Sequence, residues 1–425
     1  MSTQDIPGFF ARKEDLNLED FVLLTYIFET SIDPKLAAAA LCSEQSTAQW
    51  KRPGYDEDFR ELYGAKVISL HPHEDPTLRI EGDKKWYHLV IAHPHHNFGA
   101  RIPNLLSAAA GEGAFYCPGV DRIKWIDLEC PASYLKQFEG PRFGLKGLRE
   151  QLQIFDRPLF IGVVKPNIGL DPQTFANIAY ESWIGGLDIA KDDEMLGDMT
   201  WSPLQVRAQK CGEARKKAEA LAQTPKIYLA SITDEVDQIA SLHDVAVQEG
   251  ANAVMVNGIF TGISAVRALR RKTQVPMMSH FTGKASFSRL PDYGISSLVM
   301  TRLQRLAGAD MIGLAGFGER MKCSDSEVIA NVEACLQPWG NILPSLPIPG
   351  GSDWAATLPL LYEKLGHIDF GFISGRGVFG HPDGPAAGAQ SLHQAWEAMT
   401  QQKTLADFSK EKGKESLKRA LEAWA

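Results

Sequence analysis

From residue 157 onward the sequence alternates between two patterns, and this alternation constrains the fold more than any other feature. Short apolar runs of strand character fall at 158–165, 187–194, 226–232, 251–258, 275–281, 309–315, 342–348 and 369–374. Between them lie stretches such as 172–183, 235–249, 296–306 and 326–336, in which apolar and polar residues mix at helical spacing. Eight β-then-α units predict a closed (β/α)₈ barrel. A doubly wound open sheet is the alternative, but no GxGxxG opens the first unit, and the count of eight favours closure.

Barrels of this kind carry their active sites at the C-terminal ends of the strands, and the polar residues of this chain fall there. Lys165 ends the first strand, Lys191, Asp192, Asp193 and Glu194 end the second, Asn257 ends the fourth and His280 ends the fifth. Strands seven and eight run into Pro349-Gly350-Gly351-Ser352 and Ser374-Gly375-Arg376-Gly377. Glycine-rich turns after these two strands are where the architecture binds phosphate through backbone N–H groups, which makes Gly350, Gly351, Gly375 and Gly377 candidate phosphate contacts.

The second strand end reads as a metal site. Side chains alternate along a strand, so Lys191 and Asp193 share a face, and Glu194 follows where the chain turns. Oxygen-only ligands of this kind suit Mg²⁺. The lysine is the anomaly: a cation ~4 Å from a divalent ion is repelled by roughly 8 kcal/mol at an effective dielectric constant of ~20. Carbamylation of the amine by CO₂ reverses that sign and adds a third oxygen ligand. The alternative is that Lys191 simply neutralises Asp193 at the strand end.

Residues before about 145 do not continue the repeat. Strands at 86–92 and 123–128 and helices at 33–42 and 102–110 give a small α+β domain over 1–144, with the barrel and its C-terminal helices (387–400, 415–424) over 145–425. The net charge of −8 argues against a nucleic-acid surface, and Lys216-Lys217 and Arg270-Arg271-Lys272 read as solvated helix faces. No segment is long and apolar enough to span a bilayer, and the first twenty residues lack the apolar core of a signal peptide, so the expectation is a cytoplasmic protein. Six scattered cysteines without CxxC spacing read as reduced thiols. His93-Pro94-His95-His96 reads as a turn with exposed imidazoles, and Asp234 and Glu235 as the start of a helix.

The motifs, in this order, resemble the large subunit of ribulose-bisphosphate carboxylase (RuBisCO) across nearly the whole chain. Gly185-Gly186-Leu187-Asp188 through Lys191-Asp192-Asp193-Glu194 looks like the family's metal motif, in which the lysine becomes a carbamate and the aspartate and glutamate complete the Mg²⁺ ligands. Gly162-Val163-Val164-Lys165-Pro166-Asn167 looks like its strand-one motif, whose first lysine takes part in proton transfer; Gly380-His381-Pro382 and the Gly350-Gly351 turn also match. The resemblance implies a ferredoxin-like fold for the small domain. It also implies a homodimer with shared active sites, since Glu44 and Trp50 sit where the family supplies residues from a neighbouring subunit.

Departures from the carboxylase pattern redirect the function. Asn167 stands where carboxylases carry a second lysine, and His280-Phe281-Thr282-Gly283-Lys284 lacks their His-Arg-x-x-His pattern, so the arginine that grips one of two substrate phosphates is missing. Glu112 replaces an asparagine that contacts substrate, as a base, a hydroxyl ligand or a partner of Lys165. Arg320 lies near the place of the mobile lysine that holds incoming CO₂. The chain therefore resembles a RuBisCO-like protein, of the branch described from photosynthetic sulfur bacteria and their proteobacterial relatives. The resemblance implies Mg²⁺-dependent enolisation of a keto-sugar monophosphate or keto sugar acid, with isomerisation, tautomerisation or decarboxylation and C–C cleavage as outcomes. Lys165, Glu112, His280 and Arg320 are the catalytic candidates, with Asn167 among the substrate contacts. Two alternatives remain open at this level: an inactive homologue with a regulatory role, and a methionine-salvage enolase or isomerase. The salvage enolases carry a lysine where this chain has Glu112.

Overall fold

The computed structural model describes residues 6–47, 60–113 and 117–424, which pack as two compact units. The first comprises Met1–Gly140 together with Gly283–Ala307 and Pro338–Ile342; the second comprises Pro141–Thr282, Gly308–Gln337 and Leu343–Ala425.

The first unit is built on a sheet whose central strand, β1 (Phe21–Thr30), runs antiparallel to β3 (Lys85–Pro94) and β4 (Arg122–Glu129), with β2 (Lys66–Pro72) outside β3. The two predicted strands are β3 and β4, whereas β1 and β2 are additional. The sequence of β1, FVLLTYIFET, is almost entirely buried and carries no alternation, as expected for a strand covered on both faces. Its buried Glu29 is held by Arg122, with Nη2 and Nε at 2.6 and 2.9 Å from the two carboxylate oxygens. The helix Pro34–Glu44 starts where Asp33 accepts a hydrogen bond from the Lys35 N–H and proline occupies the first turn. A short strand from the far segment, β10 (Gly294–Ile295), adds parallel to the open edge of β4.

The histidine tract differs from its sequence reading. His96 is exposed, but His93 and His95 are buried, with Nε2 of each 3.0 Å from the carbonyl oxygens of Gln45 and Glu19 respectively. Remote carbonyls satisfy these imidazoles, so they pack as core residues.

The second unit is the (β/α)₈ barrel. Its strands are β5 (Leu159–Val163), β6 (Ile189–Lys191), β7 (Ile227–Ser231), β8 (Ala253–Val256), β9 (Met277–Ser279), β11 (Met311–Ala315), β12 (Leu346–Gly350) and β13 (Gly371–Ser374). They form one parallel sheet in the order β12-β11-β9-β8-β7-β6-β5-β13. Strands β12 and β13 then meet: a Cβ on Gly371 would lie 3.0 Å from Ile348 Cγ1, and one on Gly350 would lie 2.7 Å from Ile373 Cγ2. Ile161, Ile189, Leu229, Met255, Met311 and Ile348 fill the interior, each such side chain contributing about 1.5–3 kcal/mol relative to exposure.

All eight predicted strands are present, and all but the seventh lie within their predicted bounds. The seventh begins at Leu346 instead of residue 342, because Ile342 bridges back to Trp339 and Pro344 interrupts the run. The helices Pro172–Ile184, Val236–Glu249 and Asp325–Leu336 follow their strands as the spacing predicts. Cys42, Cys117, Cys211 and Cys335 are buried, and all six thiols are free. No helix among the described residues is long and apolar enough to cross a membrane.

Candidate active site at the mouth of the barrel

Lys191 is the last residue of β6, in register with Val163 of β5 and Leu229 of β7. It is wholly buried, and its Nζ has no hydrogen-bond partner among the described residues. Burial pushes the amine down to about 8, while the carboxylates of Glu194, Asp193 and Asp192 pull in the opposite direction. Asp193 is not neutralised by Lys191. Its Oδ2 accepts instead from Lys165 Nζ at 3.0 Å, and its Oδ1 accepts from the Met195 N–H at 3.2 Å. Lys165 also donates to Asn167 Oδ1, so these three residues form one connected group.

Between Lys191 and Asp193 sits Asp192, which strand alternation turns to the opposite face. It accepts from Tyr228 Oη at 2.8 Å, the Ser231 N–H at 3.0 Å and Arg207 Nε at 3.2 Å. Arg207, itself 0% exposed, continues to the carbonyls of Ser202 and Gly197 at 2.6 and 3.0 Å. This buried network pins the loop that carries Asp193 and Glu194. The sequence reading passed over its role. Nothing local in the sequence marks Arg207 or Tyr228 as partners of Asp192.

Glu194 is anchored through its backbone, whose carbonyl accepts from Asn257 Nδ2 at 3.0 Å. The Asn257 Oδ1 is buried without a partner among the described residues. Glu194 Oε2 lies 3.6 Å from Nε2 of His280, whose Nδ1 shares a 2.6 Å hydrogen bond with Thr282 Oγ1. His280 is buried, whereas the Glu194 side chain is 30% exposed and therefore open to a ligand.

The glycine turns approach this group from β12 and β13. A Cβ on Gly375 would stand 3.0 Å from Lys165 Cε, so the glycine lets the turn lie close against the lysine stem. At Gly377 a Cβ would fall 2.5 Å from Ser374 Oγ and 2.6 Å from the Asp353 carbonyl oxygen. The Gly350-Gly351 turn is tied from below by Asp353, which accepts from the Gly351 N–H at 2.9 Å and from Thr357 Oγ1 at 3.2 Å. Burial raises the Asp353 carboxyl to about 6 against those two hydrogen bonds. Arg320 donates to Ser352 Oγ, joining the loop after β11 to the same turn.

Lys165, Asn167 and Asp193 are thus in direct contact, Glu194 stands beside His280, and Lys191 lies buried within their field. Glu44, the last residue of its helix, and Glu112, just after Ile102–Ala110, are exposed residues of the first unit. Trp50 lies outside the described residues. Among the described residues no three His, Cys, Asp or Glu side chains form a ready metal cage. The donor set nevertheless suits a hard cation once the unpartnered Lys191 amine carries a carboxylate, because two anionic side chains then become three.

The family profile described as ribulose bisphosphate carboxylase large chain, catalytic domain, matches residues 144–424, and that of the large-chain N-terminal domain matches residues 13–134. The chain belongs to the ribulose bisphosphate carboxylase large-chain family. Within this family it is 55% identical over 418 residues to a ribulose bisphosphate carboxylase-like protein of Allochromatium vinosum, covering 96% of this chain and 92% of the relative. A protein of the same description from Chlorobaculum tepidum is 55% identical over 408 residues, 94% of each chain. Among solved structures, the octameric RuBisCO of Pyrococcus horikoshii in complex with sulfate superposes with a TM-score of 0.90 at 30% identity, over 98% of this chain and 96% of that one. The family resemblance carried by the motifs is therefore shown, and within it the chain is similar to RuBisCO-like proteins of the sulfur-bacterial branch.

Proposed function

We propose that this chain is a RuBisCO-like enzyme that enolises a phosphorylated keto sugar or keto sugar acid with Mg²⁺, and that it does not fix CO₂. The observation that carries the proposal is the Lys191 amine, fully buried at a barrel mouth with no hydrogen-bond partner among the described residues while the charges of three carboxylates act on it. A structural lysine in that position would pair with Asp193, but Asp193 pairs with Lys165. A lysine kept for carbamylation must reach its neutral form, and burial supplies this by lowering its pKa. The neutral amine would form an N–C bond to CO₂ and release a proton, leaving an anion beside Asp193 and Glu194.

Those three residues would hold the cation, which when bound supplies Lewis-acid stabilisation of charge developing on a substrate carbonyl oxygen. Lys165 would move the proton on the adjacent carbon; its side chain is 33% exposed and its Nζ is oriented by Asp193 and Asn167. Gly350, Gly351, Gly375 and Gly377 would hold a phosphate through their backbones, and His280 would orient Glu194. Asn167 and the stretch 280–284 depart from the carboxylase pattern, which favours one phosphate grip over two. A second copy of the chain would supply Glu44 and Trp50, giving a homodimer with shared sites.

Calorimetric titration of Mg²⁺ with and without bicarbonate, on wild type and Lys191→Ala, tests the proposal. Binding that needs bicarbonate and disappears in the variant is expected. Binding indifferent to both bicarbonate and Lys191 would refute the carbamate site and leave the inactive homologue as the better account.

A further inference from the structure

A cleft of about 470 Å³ opens beside the glycine turns, lined by Arg320, Ser352, Trp354, Arg376, Gly377 and Trp424. Its walls come from the loops after β11, β12 and β13 and from the helix Glu415–Trp424. Among the described residues no carboxylate lines it, so two permanently charged guanidinium groups face one space with no counter-ion from those residues. Arg320 bonds to Ser352 Oγ, and Arg376 is exposed with no side-chain partner among the described residues. Such a pair calls for an anion with at least two acceptor oxygens, and planar guanidinium donors match phosphate in particular.

The remaining wall is aromatic. Trp354 and Trp424 meet edge to face, ring centroids 5.6 Å apart at 83°, and both are only half-buried. Trp424 is braced from behind by His381 at 6.1 Å and 85°. Two braced indoles with exposed surface offer an apolar platform that a free phosphate ion has no use for, and the volume lies in the range of small-molecule pockets. Arg376 directly follows Gly375, whose backbone lies against the Lys165 stem.

We propose that this cleft holds the phosphate of an organophosphate between Arg320 and Arg376 and stacks a planar, apolar part of the same molecule on Trp354 and Trp424. The link to turnover rests on the phosphorylated substrate proposed above; the binding itself does not. Within the phosphorylated keto substrates proposed above, this favours one that carries a planar, apolar substituent over one that is hydroxylated throughout.

The test is calorimetry on the full-length chain with three probes: inorganic phosphate, ribose 5-phosphate and phenyl phosphate. Phenyl phosphate is expected to bind at least about tenfold more tightly than either of the others. Arg376→Gln should weaken phenyl phosphate by about 10–100-fold, whereas Arg376→Lys should recover part of the loss. Trp424→Leu should leave phosphate affinity intact and remove the aryl advantage. Should that variant fail to fold, saturable quenching of wild-type indole emission by 4-nitrophenyl phosphate, competed by phenyl phosphate and lost in Arg376→Gln, reads the same contact. Phenyl phosphate binding no tighter than inorganic phosphate, or unaffected by Arg376→Gln, would overturn the proposal, as would a preference for ribose 5-phosphate. Mg²⁺ titration of the same samples separates the two ideas. Indifference to bicarbonate sinks the metal assignment alone, and Arg376-independent phenyl phosphate binding sinks the cleft alone.

Discussion

Asp353→Asn should stabilise the protein at neutral pH and leave it nearly unchanged in acid. The carboxyl is 7% exposed, and burial lifts its pKa from 3.8 to about 6 even though Gly351 and Thr357 donate to it. A shift of about two units corresponds to ~3 kcal/mol. A raised folded pKa means that the folded state holds more protons than the unfolded chain between pH 3.8 and about 6. The stabilisation from protonated Asp353 is therefore complete below the unfolded value and is lost as pH rises through the folded one. Asparagine keeps an acceptor for the Gly351 N–H and has no charge to bury at any pH. The stability of Asp353→Asn relative to wild type should thus climb by about 3 kcal/mol between pH 4 and pH 7. Urea unfolding of both proteins at four pH values across this window measures it, and the difference cancels groups common to both. A difference that is flat with pH, or that turns against the variant toward neutrality, would refute the account of a carboxylate confined beneath the Gly350-Gly351 turn.

Three further outcomes are expected. Asp193→Ala should cost more turnover on an identified substrate than Lys165→Ala, because the electrostatic contribution usually exceeds the ~10²–10⁴-fold of a general base; equal or reversed losses would count against the metal-centred assignment. Arg207→Met should destabilise by about 3–5 kcal/mol, since it strands the buried Asp192 carboxylate without its counter-ion; denaturant midpoints report it, and a change under 1 kcal/mol would mean that the network does not hold the loop. Gly377→Ala should cost about 1–3 kcal/mol, because the added Cβ meets Ser374 Oγ at 2.5 Å and Asp353 O at 2.6 Å; an unchanged melting temperature would show that the turn relaxes freely.

The barrel was legible because its strands are local objects: a run such as Ile227–Ser231 announces itself by apolarity, and helices such as Pro172–Ile184 by spacing and a proline in the first turn. The charged residues at strand ends were legible for the same reason. What the sequence hid depends on partners far along the chain. Asp192 read as one more acid in a cluster until Tyr228, 36 residues on, was found to donate to it. His95 read as exposed because nothing nearby reveals that a carbonyl 76 residues away awaits its ring nitrogen. Asp353 escaped notice because a lone aspartate after a glycine pair is ordinary in sequence and becomes unusual only when buried. Strand β1 is a continuous apolar run like those of the barrel, but no repeat of β/α units frames it, and it was missed.

The strand Gly294–Ile295 and the segments around it have a consequence for the order of synthesis. The first unit draws on residues as late as 342, so its sheet cannot be completed when its first 140 residues leave the ribosome. At 5–20 residues per second, the nascent β4 edge waits roughly 10–40 s for the segments that finish the unit. An open edge is a template for other chains, so the early half of this polypeptide passes through a period of vulnerability that lasts until most of the barrel has been made.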